Sequence, residues 1–135
     1  MAVFIGLTGT FGSGKGVFSE LVKKWCREKR RAFAFFSLSN EVREECAKQG
    51  KTLERANLRA VANATRRIEG AGVFAKRVLQ KALKEKKAQV IVIDSVRALG
   101  EAEELRNALG DKFVLVAVDA PIEARFERVK ERARA

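Results

Sequence analysis

The sequence contains no histidine, one proline and two cysteines. Without histidine, the chain cannot build a Ser-His-Asp triad or a Cys-His pair, and histidine-containing zinc sites are excluded. Cys26 and Cys46 have no CxxC partner, so we expect reduced thiols that bind no metal. A single proline and the lack of long Gly/Ser tracts leave no obvious interdomain linker, so residues 1–135 are expected to form one domain.

Long apolar runs are also absent. Residues 1–7 form an apolar stretch that is too short for a signal peptide or a membrane span. We therefore expect a cytoplasmic protein that has no membrane partner.

Acidic residues are outnumbered. Lys and Arg total 28 against 17 Asp and Glu, a formal charge of +11, and much of the excess lies in residues 23–31 and 76–87. Such a field attracts nucleotides, polynucleotides or acidic lipids without choosing among them. A solvated helix face explains either cluster equally simply. The charge leaves a nucleic-acid-associated NTPase open, although no recognition motif or aromatic stacking platform supports it.

Short apolar segments alternate with helical patterns along the chain. Apolar runs over residues 3–7, 32–36, 90–93 and 113–118 are typical of strands buried on both faces. Strands that alternate with helices predict a mostly parallel sheet in a three-layer α/β/α domain. Ligands bind such sheets at the carboxyl ends of the strands.

The helical segments carry apolar residues at helical spacing. Val17, Leu21 and Trp25 belong to the apolar side of the first helix, and Leu53, Val61 and Ile68 line a face between residues 52 and 87. Ser39 or Asn40 is the expected N-cap of the second helix. Pro121 opens a last predicted helix whose apolar side includes Ile122, Phe126 and Val129.

A glycine-rich loop follows the first predicted strand. Residues 9–15 match G-x-x-x-x-G-K between a strand and a helix, the context that this motif requires. Glycines let backbone N–H groups surround phosphate oxygens, and the helix N-terminus and a lysine add positive charge. The sequence therefore predicts a site for ATP or a similar triphosphate formed by Gly9, Thr10, Phe11, Gly12, Ser13, Gly14, Lys15, Gly16 and Val17.

One loop position differs from the common pattern. Gly16 occupies the place where most such loops have a Ser or Thr whose hydroxyl binds Mg²⁺. Asp94 ends the third strand, so it is expected to orient a hydrated Mg²⁺ through water. A helix N-cap is the alternative role for Asp94.

Several arginines are candidates for binding anions. Arg97 follows Asp94 at the same end of the sheet, and Arg43 and Arg66 lie between the second and third strands. Arg128 and Arg132 are four residues apart on the last predicted helix, where like charges repel unless an anion or neighbouring acids lie between them. Lys15, Asp94 and Arg97 form the expected catalytic set for phosphoryl transfer, which needs positioning and charge neutralisation.

The second strand is followed by Ser39 and Asn40, where a catalytic acid is expected, and Glu41 is adjacent. An acceptor that is already a phosphate anion needs no general base, whereas a hydroxyl acceptor usually benefits from one. The pattern favours a nucleoside monophosphate as acceptor.

These motifs resemble those of the P-loop nucleotide kinases. The chain contains Gly-Lys-Gly, then Ser-Leu-Ser-Asn-Glu-Val-Arg, Val-Ile-Asp-Ser-Val-Arg and Val-Asp-Ala-Pro-Ile-Glu-Ala-Arg-Phe-Glu-Arg. It is most similar to dephospho-CoA-kinase-like and deoxycytidylate-kinase-like branches, and more distantly to adenylate kinases. The resemblance implies that Arg43 and Arg97 bind the acceptor phosphate, that Arg128 and Arg132 contact ATP at the base of a lid, and that residues 39–87 bind the acceptor.

The resemblance also implies a sheet order of 2-3-1-4. Related kinases continue through a lid into a final strand and helix, so we expect both the lid and that strand to be absent from this chain.

The preferred function is transfer of the γ-phosphoryl group of ATP, with Mg²⁺, to a small phosphorylated acceptor. The alternative is a nucleotide sensor or slow NTPase without kinase activity. The oligomeric state is left open.

Overall fold

A computed structural model describes residues 2–9, 14–119 and 129 of the chain. Four strands and five α-helices alternate along these residues, and a 3₁₀ turn, Gly110–Lys112, precedes the last strand. In chain order they are β1 (Val3–Thr8), α1 (Lys15–Glu28), β2 (Phe33–Ser37), α2 (Leu38–Lys48), α3 (Arg55–Glu69), α4 (Val73–Ala82), β3 (Val90–Asp94), α5 (Leu99–Leu109) and β4 (Phe113–Ala117).

The four strands form one parallel sheet in the order β2-β3-β1-β4, which confirms the predicted topology and the three-layer α/β/α fold. Phe4 on β1 pairs with Ile91 on β3 and with Phe113 on β4, so their side chains share one face of the sheet. This face packs with α4 and α5 into the main apolar core, in which Phe74 and Leu105 are fully buried. The core fixes the strands whose carboxyl ends carry the site.

Helix α1 buries less of its apolar side than the sequence predicts. Cys26 is buried, and Phe18 and Val22 are half-buried, but Val17, Leu21 and Trp25 are mainly exposed. Periodicity identifies a helix, but it does not say how wide a stripe neighbouring elements cover.

The prediction of an apolar face between residues 52 and 87 is also wrong in part. Ile68 and Leu53 are exposed, and α3 buries Val61, Ala62 and Thr65. The Thr65 hydroxyl donates to the Val61 carbonyl at 2.7 Å, so a polar side chain is accommodated in the interior.

Helix α2 begins earlier than predicted, since Ser37 is its N-cap in place of Ser39 or Asn40. The Ser37 hydroxyl accepts from the Ser39 N–H at 3.2 Å. Strand β2 ends at the same Ser37, so strand and helix adjoin directly. This places Ser39 and Asn40 in the first turn of α2.

The last predicted helix lies outside the described residues except for Val129. Within the described ranges, none of the helices has the length and apolar character needed to cross a bilayer.

Candidate functional site

Polar side chains of three neighbouring strands meet at the carboxyl edge of the sheet. Asp94 at the end of β3 is the register partner of Ser37 at the end of β2. Strand β1, on the other side of β3, ends at Thr8 and continues into Gly9. The glycine-rich loop and Asp94 therefore belong to the same edge, as parallel strands require.

Lys15 and Asp94 are in direct contact at this edge. The Lys15 ammonium donates to Asp94 Oδ1 at 2.8 Å, and its Nζ lies 3.4 Å from the Ser95 hydroxyl. The two side chains are only 19% and 22% exposed, so the pair is partly shielded from water. A cation and a carboxylate that the sequence separates by 79 residues thus form one site.

The start of α1 is suited to an anion. Lys15 is its first residue, and Gly14 is its N-cap with φ 99° and ψ 13°, a left-handed conformation that favours glycine. Gly14 has no side chain that could cap the helix, and the first turn contains no acidic residue. Among the described residues, no side chain caps the first N–H groups of α1, and these groups and the helix dipole suit a phosphate.

Ser95 is a site residue that the sequence analysis missed. It has φ 65°, a strained conformation for a residue with a Cβ, and only 6% of its surface is exposed. This turn lets the Val96 N–H donate to the Leu7 carbonyl of β1 at 3.0 Å. The Ser95 hydroxyl lies 3.4 Å from that of Ser37, so a polar row runs from Lys15 through Ser95 to the cap of α2. Its sequence signal was only its position directly after Asp94.

Two of the predicted acceptor-binding residues contact each other on α2. The Arg43 guanidinium donates to the Asn40 side-chain oxygen at 2.8 Å, and both side chains are exposed. Ser39 contributes its N–H to the Ser37 cap. These residues lie in the first two turns of α2, next to the carboxyl edge.

Arg66 and Arg97 are brought together by Glu101, which the sequence analysis also missed as a site residue. Glu101 has no exposed surface, and its Oε1 accepts from the N–H groups of Arg97 and Ala98, at 2.9 Å each. Its Oε2 accepts from Arg66 NH2 at 3.0 Å. The Arg97 side chain itself is exposed. The signal available was an acid three residues into a helix, an arrangement typical of capping.

One nitrogen of the Arg66 side chain lacks a partner among the described residues. Its Nε is buried and forms no hydrogen bond with them, although the guanidinium lies over the Phe74 ring at 5.4 Å from the centroid. A buried donor of this kind is costly unless a ligand or water satisfies it.

The groups around Asp94 fit a hydrated Mg²⁺. A carboxylate and a hydroxyl, from Asp94 and Ser95, are the hard oxygen donors that Mg²⁺ prefers, and it commonly keeps several waters. Asp94 is not a helix N-cap, because α5 begins five residues later with Ala98 as its N-cap. Among the described residues, no cluster of three acidic or cysteine side chains could hold a metal ion.

Glu41, adjacent to Asn40, is committed to an ion pair. Its carboxylate accepts from Lys81 on α4 at 2.7 Å and is buried. Lys81 also pairs with Glu44, and these hydrogen bonds raise the pKa of Lys81 and lower the pKa of Glu44. Glu41 is therefore part of the contact between α2 and α4.

Other predicted site residues lie outside the described part of the chain. These are Thr10, Phe11, Gly12, Ser13, Arg128 and Arg132. Of the remaining loop positions, Gly16 and Val17 are exposed in the first turn of α1.

Comparison with known proteins places the chain among related sequences. A family described as "AAA domain" matches residues 5–135. A "UPF0200 protein" of Thermococcus onnurineus is 37% identical over 98% of this chain and 69% of its own length. A "UPF0200/UPF0201 protein" of Archaeoglobus fulgidus is 43% identical over 72% of this chain, but the match spans only 30% of that protein.

Among solved structures, TT1252 from Thermus thermophilus has a similar fold. Its TM-score is 0.60 at 20% sequence identity, and the match covers 99% of this chain and 74% of that one. A shikimate kinase from Acinetobacter baumannii gives a lower TM-score of 0.48. The fold is similar to that of TT1252, and the chain belongs to the UPF0200 proteins and to the AAA domain family that matches it.

Proposed function

We propose that this protein transfers the γ-phosphoryl group of ATP to a small phosphorylated acceptor, with a nucleoside monophosphate as the preferred class. The observation that carries the proposal is the contact between Lys15 and Asp94 at the mouth of the sheet, 2.8 Å apart beside the N-terminus of α1. It brings together the phosphate-binding lysine and the carboxylate that phosphoryl transfer requires.

In the proposed mechanism, the loop and the start of α1 bind the triphosphate. Lys15 moves from Asp94 to the outer phosphates and neutralises the charge that spreads over the transferred group. The exchange leaves Asp94 available to a hydrated Mg²⁺, which would neutralise phosphate charge when bound. Arg128 and Arg132 are proposed to contact ATP from the last predicted helix.

The acceptor side is proposed to lie at the start of α2 and α5. Arg43 and Asn40 are exposed next to the carboxyl edge, and Glu101 holds Arg66 and the backbone of Arg97 together. Arginines suit an acceptor that carries a phosphate dianion, because a guanidinium can form two parallel hydrogen bonds to phosphate oxygens.

The pairing of Glu41 supports a phosphate acceptor over a hydroxyl acceptor. A hydroxyl must lose its proton, and Glu41 was the acid that the sequence left as a candidate base near Asn40. In the structure its carboxylate is bound to Lys81 instead.

The test is acceptor-dependent ADP formation. The protein is incubated with Mg-ATP and, separately, AMP, CMP, dCMP, UMP, GMP or dephospho-CoA. We expect one acceptor class to stimulate ADP formation at least about tenfold over ATP alone, and Lys15→Ala to abolish the stimulation. ATP binding with slow, acceptor-independent hydrolysis would instead support a nucleotide sensor or slow NTPase.

A further inference from the structure

We propose that the amino edge of the sheet, opposite the nucleotide site, binds single-stranded nucleic acid. The surface consists of seven exposed cations at the ends of α1 and α4, here called the basic edge: Arg27, Lys29, Arg30, Arg31, Lys84, Lys86 and Lys87. This interaction is independent of the phosphotransferase proposal.

The fold brings two separate basic segments of the sequence together. The N–H groups of Gln89 and Val90 donate to the Ala32 carbonyl at 2.8 and 3.1 Å, and the Ala32 N–H donates to the Gln89 side chain at 3.0 Å. Arg31 directly precedes Ala32, and Lys87 lies two residues before Gln89. The turn after α1 and the turn after α4 therefore lie side by side where β2 and β3 begin.

The basic edge is not neutralised within the described part of the chain. Only two acids, Glu28 and Glu85, lie in these segments, which leaves a net charge of +5 from seven cations and two acids. The cations that form ion pairs among the described residues are Lys15, Arg66, Arg77 and Lys81, and none belongs to the basic edge. A dense, uncompensated positive patch attracts polyanions from solution.

An aromatic side chain adjoins the patch and favours nucleic acid over other polyanions. Trp25 lies one helical turn before Lys29, whose N–H donates to the Trp25 carbonyl at 2.9 Å, and it is 49% exposed. Single-stranded nucleic acid binds to such combinations because phosphates pair with cations while bases stack on aromatic rings. An acidic protein surface offers charge without stacking.

The basic edge is separate from the nucleotide site. Strand β3 runs from Val90 at the amino edge to Asp94, four steps that span about 13 Å at roughly 3.3 Å per residue. Single-stranded nucleic acid bound to the basic edge should therefore leave Lys15 and Asp94 accessible.

The experiment measures fluorescence anisotropy of a labelled oligouridylate of about 20 nucleotides, longer than the roughly 4–16 nucleotides of typical sites. The test variant carries Lys84→Glu, Lys86→Glu and Lys87→Glu. The matched control carries Lys48→Glu, Lys51→Glu and Lys76→Glu, three exposed lysines outside the basic edge that change the net charge equally. Thermal unfolding and ATP binding of each variant check that the fold is retained.

We expect binding by the natural sequence at low salt, with quenching of Trp25, the only tryptophan of the chain. The test variant should bind at least about tenfold more weakly than the control, and its salt dependence should lose a slope of roughly 2, about 0.7 for each phosphate contact removed. Saturating Mg-ATP should leave the oligonucleotide affinity unchanged.

Three results would overturn the proposal. They are absence of oligonucleotide binding at low salt, an equal loss of affinity in the two variants, and displacement of the oligonucleotide by ATP. A parallel titration with vesicles of phosphatidylserine and phosphatidylcholine tests the lipid alternative. Binding to these vesicles without binding to the oligonucleotide would replace nucleic acid by an acidic membrane surface as the partner.

Discussion

Two residues of the site hold each other in place: the Lys15 Nζ lies 2.8 Å from Asp94 Oδ1, so their charges neutralise each other. Lys15 must give up this contact to reach a phosphate, so the ion pair opposes nucleotide binding. In the proposed mechanism Asp94 has the second role of accepting a hydrated Mg²⁺, and this role would favour binding. The two effects of the same carboxylate should separate when the metal is removed.

Asp94→Asn tests this division of roles. Removing the charge frees Lys15 from its strongest partner and weakens the metal site. In EDTA, we expect the variant to bind ATP at least as tightly as the natural sequence does. Adding Mg²⁺ should then raise the ATP affinity of the variant little or not at all. Calorimetric titrations with and without Mg²⁺ measure both quantities, and an unchanged gain on adding Mg²⁺ would contradict the assignment of Asp94.

Glu101 is the single residue whose loss should disturb the acceptor region most. Glu101→Gln removes a buried charge that accepts from Arg66 and from two backbone N–H groups. We expect a loss of about 1–3 kcal/mol in the free energy of unfolding, because an amide accepts more weakly and leaves Arg66 poorly paired. Urea unfolding measures it, with Glu103→Gln, an exposed neighbour on α5, as the control that should change little.

At the level of elements, the first turn of α5 packs closely against the turn that precedes α4. A Cβ added to Gly100 would lie 2.6 Å from the Ala71 Cβ, closer than side chains can approach. Gly72 belongs to the same tight contact, because a Cβ there would lie 3.1 Å from the Gly100 carbonyl oxygen and from the Glu104 Cβ.

Gly100→Ala should therefore destabilise the fold by roughly 1–3 kcal/mol through overpacking. Adding Ala71→Gly removes the opposing methyl group and should restore part of the loss. Denaturant unfolding of both single variants and the double variant measures the coupling. If the two changes are simply additive, the contact between Gly100 and Ala71 does not limit the packing.

Helices α2 and α4 are joined by ion pairs whose strength depends on pH. Hydrogen bonds to Lys81 and Arg77 lower the pKa of Glu44 and of Glu45 from the ordinary value of 4.5. Burial opposes the charge of Arg77, but its pairs with Glu45 and Glu69 raise its pKa overall. A carboxyl with a depressed folded-state pKa contributes stability above its unfolded pKa and loses it as the pH falls through the folded value.

We accordingly expect the thermal midpoint to fall as the pH drops below about 4.5. Arg77→Met keeps much of the apolar length but removes the pairing with Glu45 and Glu69. The variant should have a smaller dependence of the midpoint on pH between about 3 and 6. Thermal scans across this range measure the difference, and parallel curves for the two proteins would rule out this contribution.

The sequence predicts the helices and strands better than it predicts how they pack against one another. Apolar runs are local signals that identified the strands, whereas the sheet order came from the resemblance to the P-loop nucleotide kinases. The exposure of Trp25, the cap at Ser37 and the role of Glu101 depend on which elements pack together, and periodicity carries no such information. Glu101 in particular looks like any acid early in a helix until the fold places Arg66 beside it.

The whole molecule separates its charges between two edges of one sheet. The carboxyl edge carries the paired Lys15 and Asp94, whereas the amino edge carries the basic edge, whose cations form no ion pair with the described residues. The chain spans 69% of its Thermococcus relative and 30% of its Archaeoglobus relative. Both proposed activities are therefore tested with the 135-residue chain.

The most direct measurement is a calorimetric titration of the protein with Mg-ATP, together with thermal unfolding at saturating nucleotide. We expect binding by the natural sequence and by Lys24→Ala, which changes an exposed lysine farther along α1, with a stabilisation of about 2.7 kcal/mol when ATP is 100-fold above Kd. Lys15→Ala should bind at least about tenfold more weakly, since it loses charge-assisted hydrogen bonds to the phosphates. No heat and no thermal shift with the natural sequence, or equal affinity in Lys15→Ala, would contradict it.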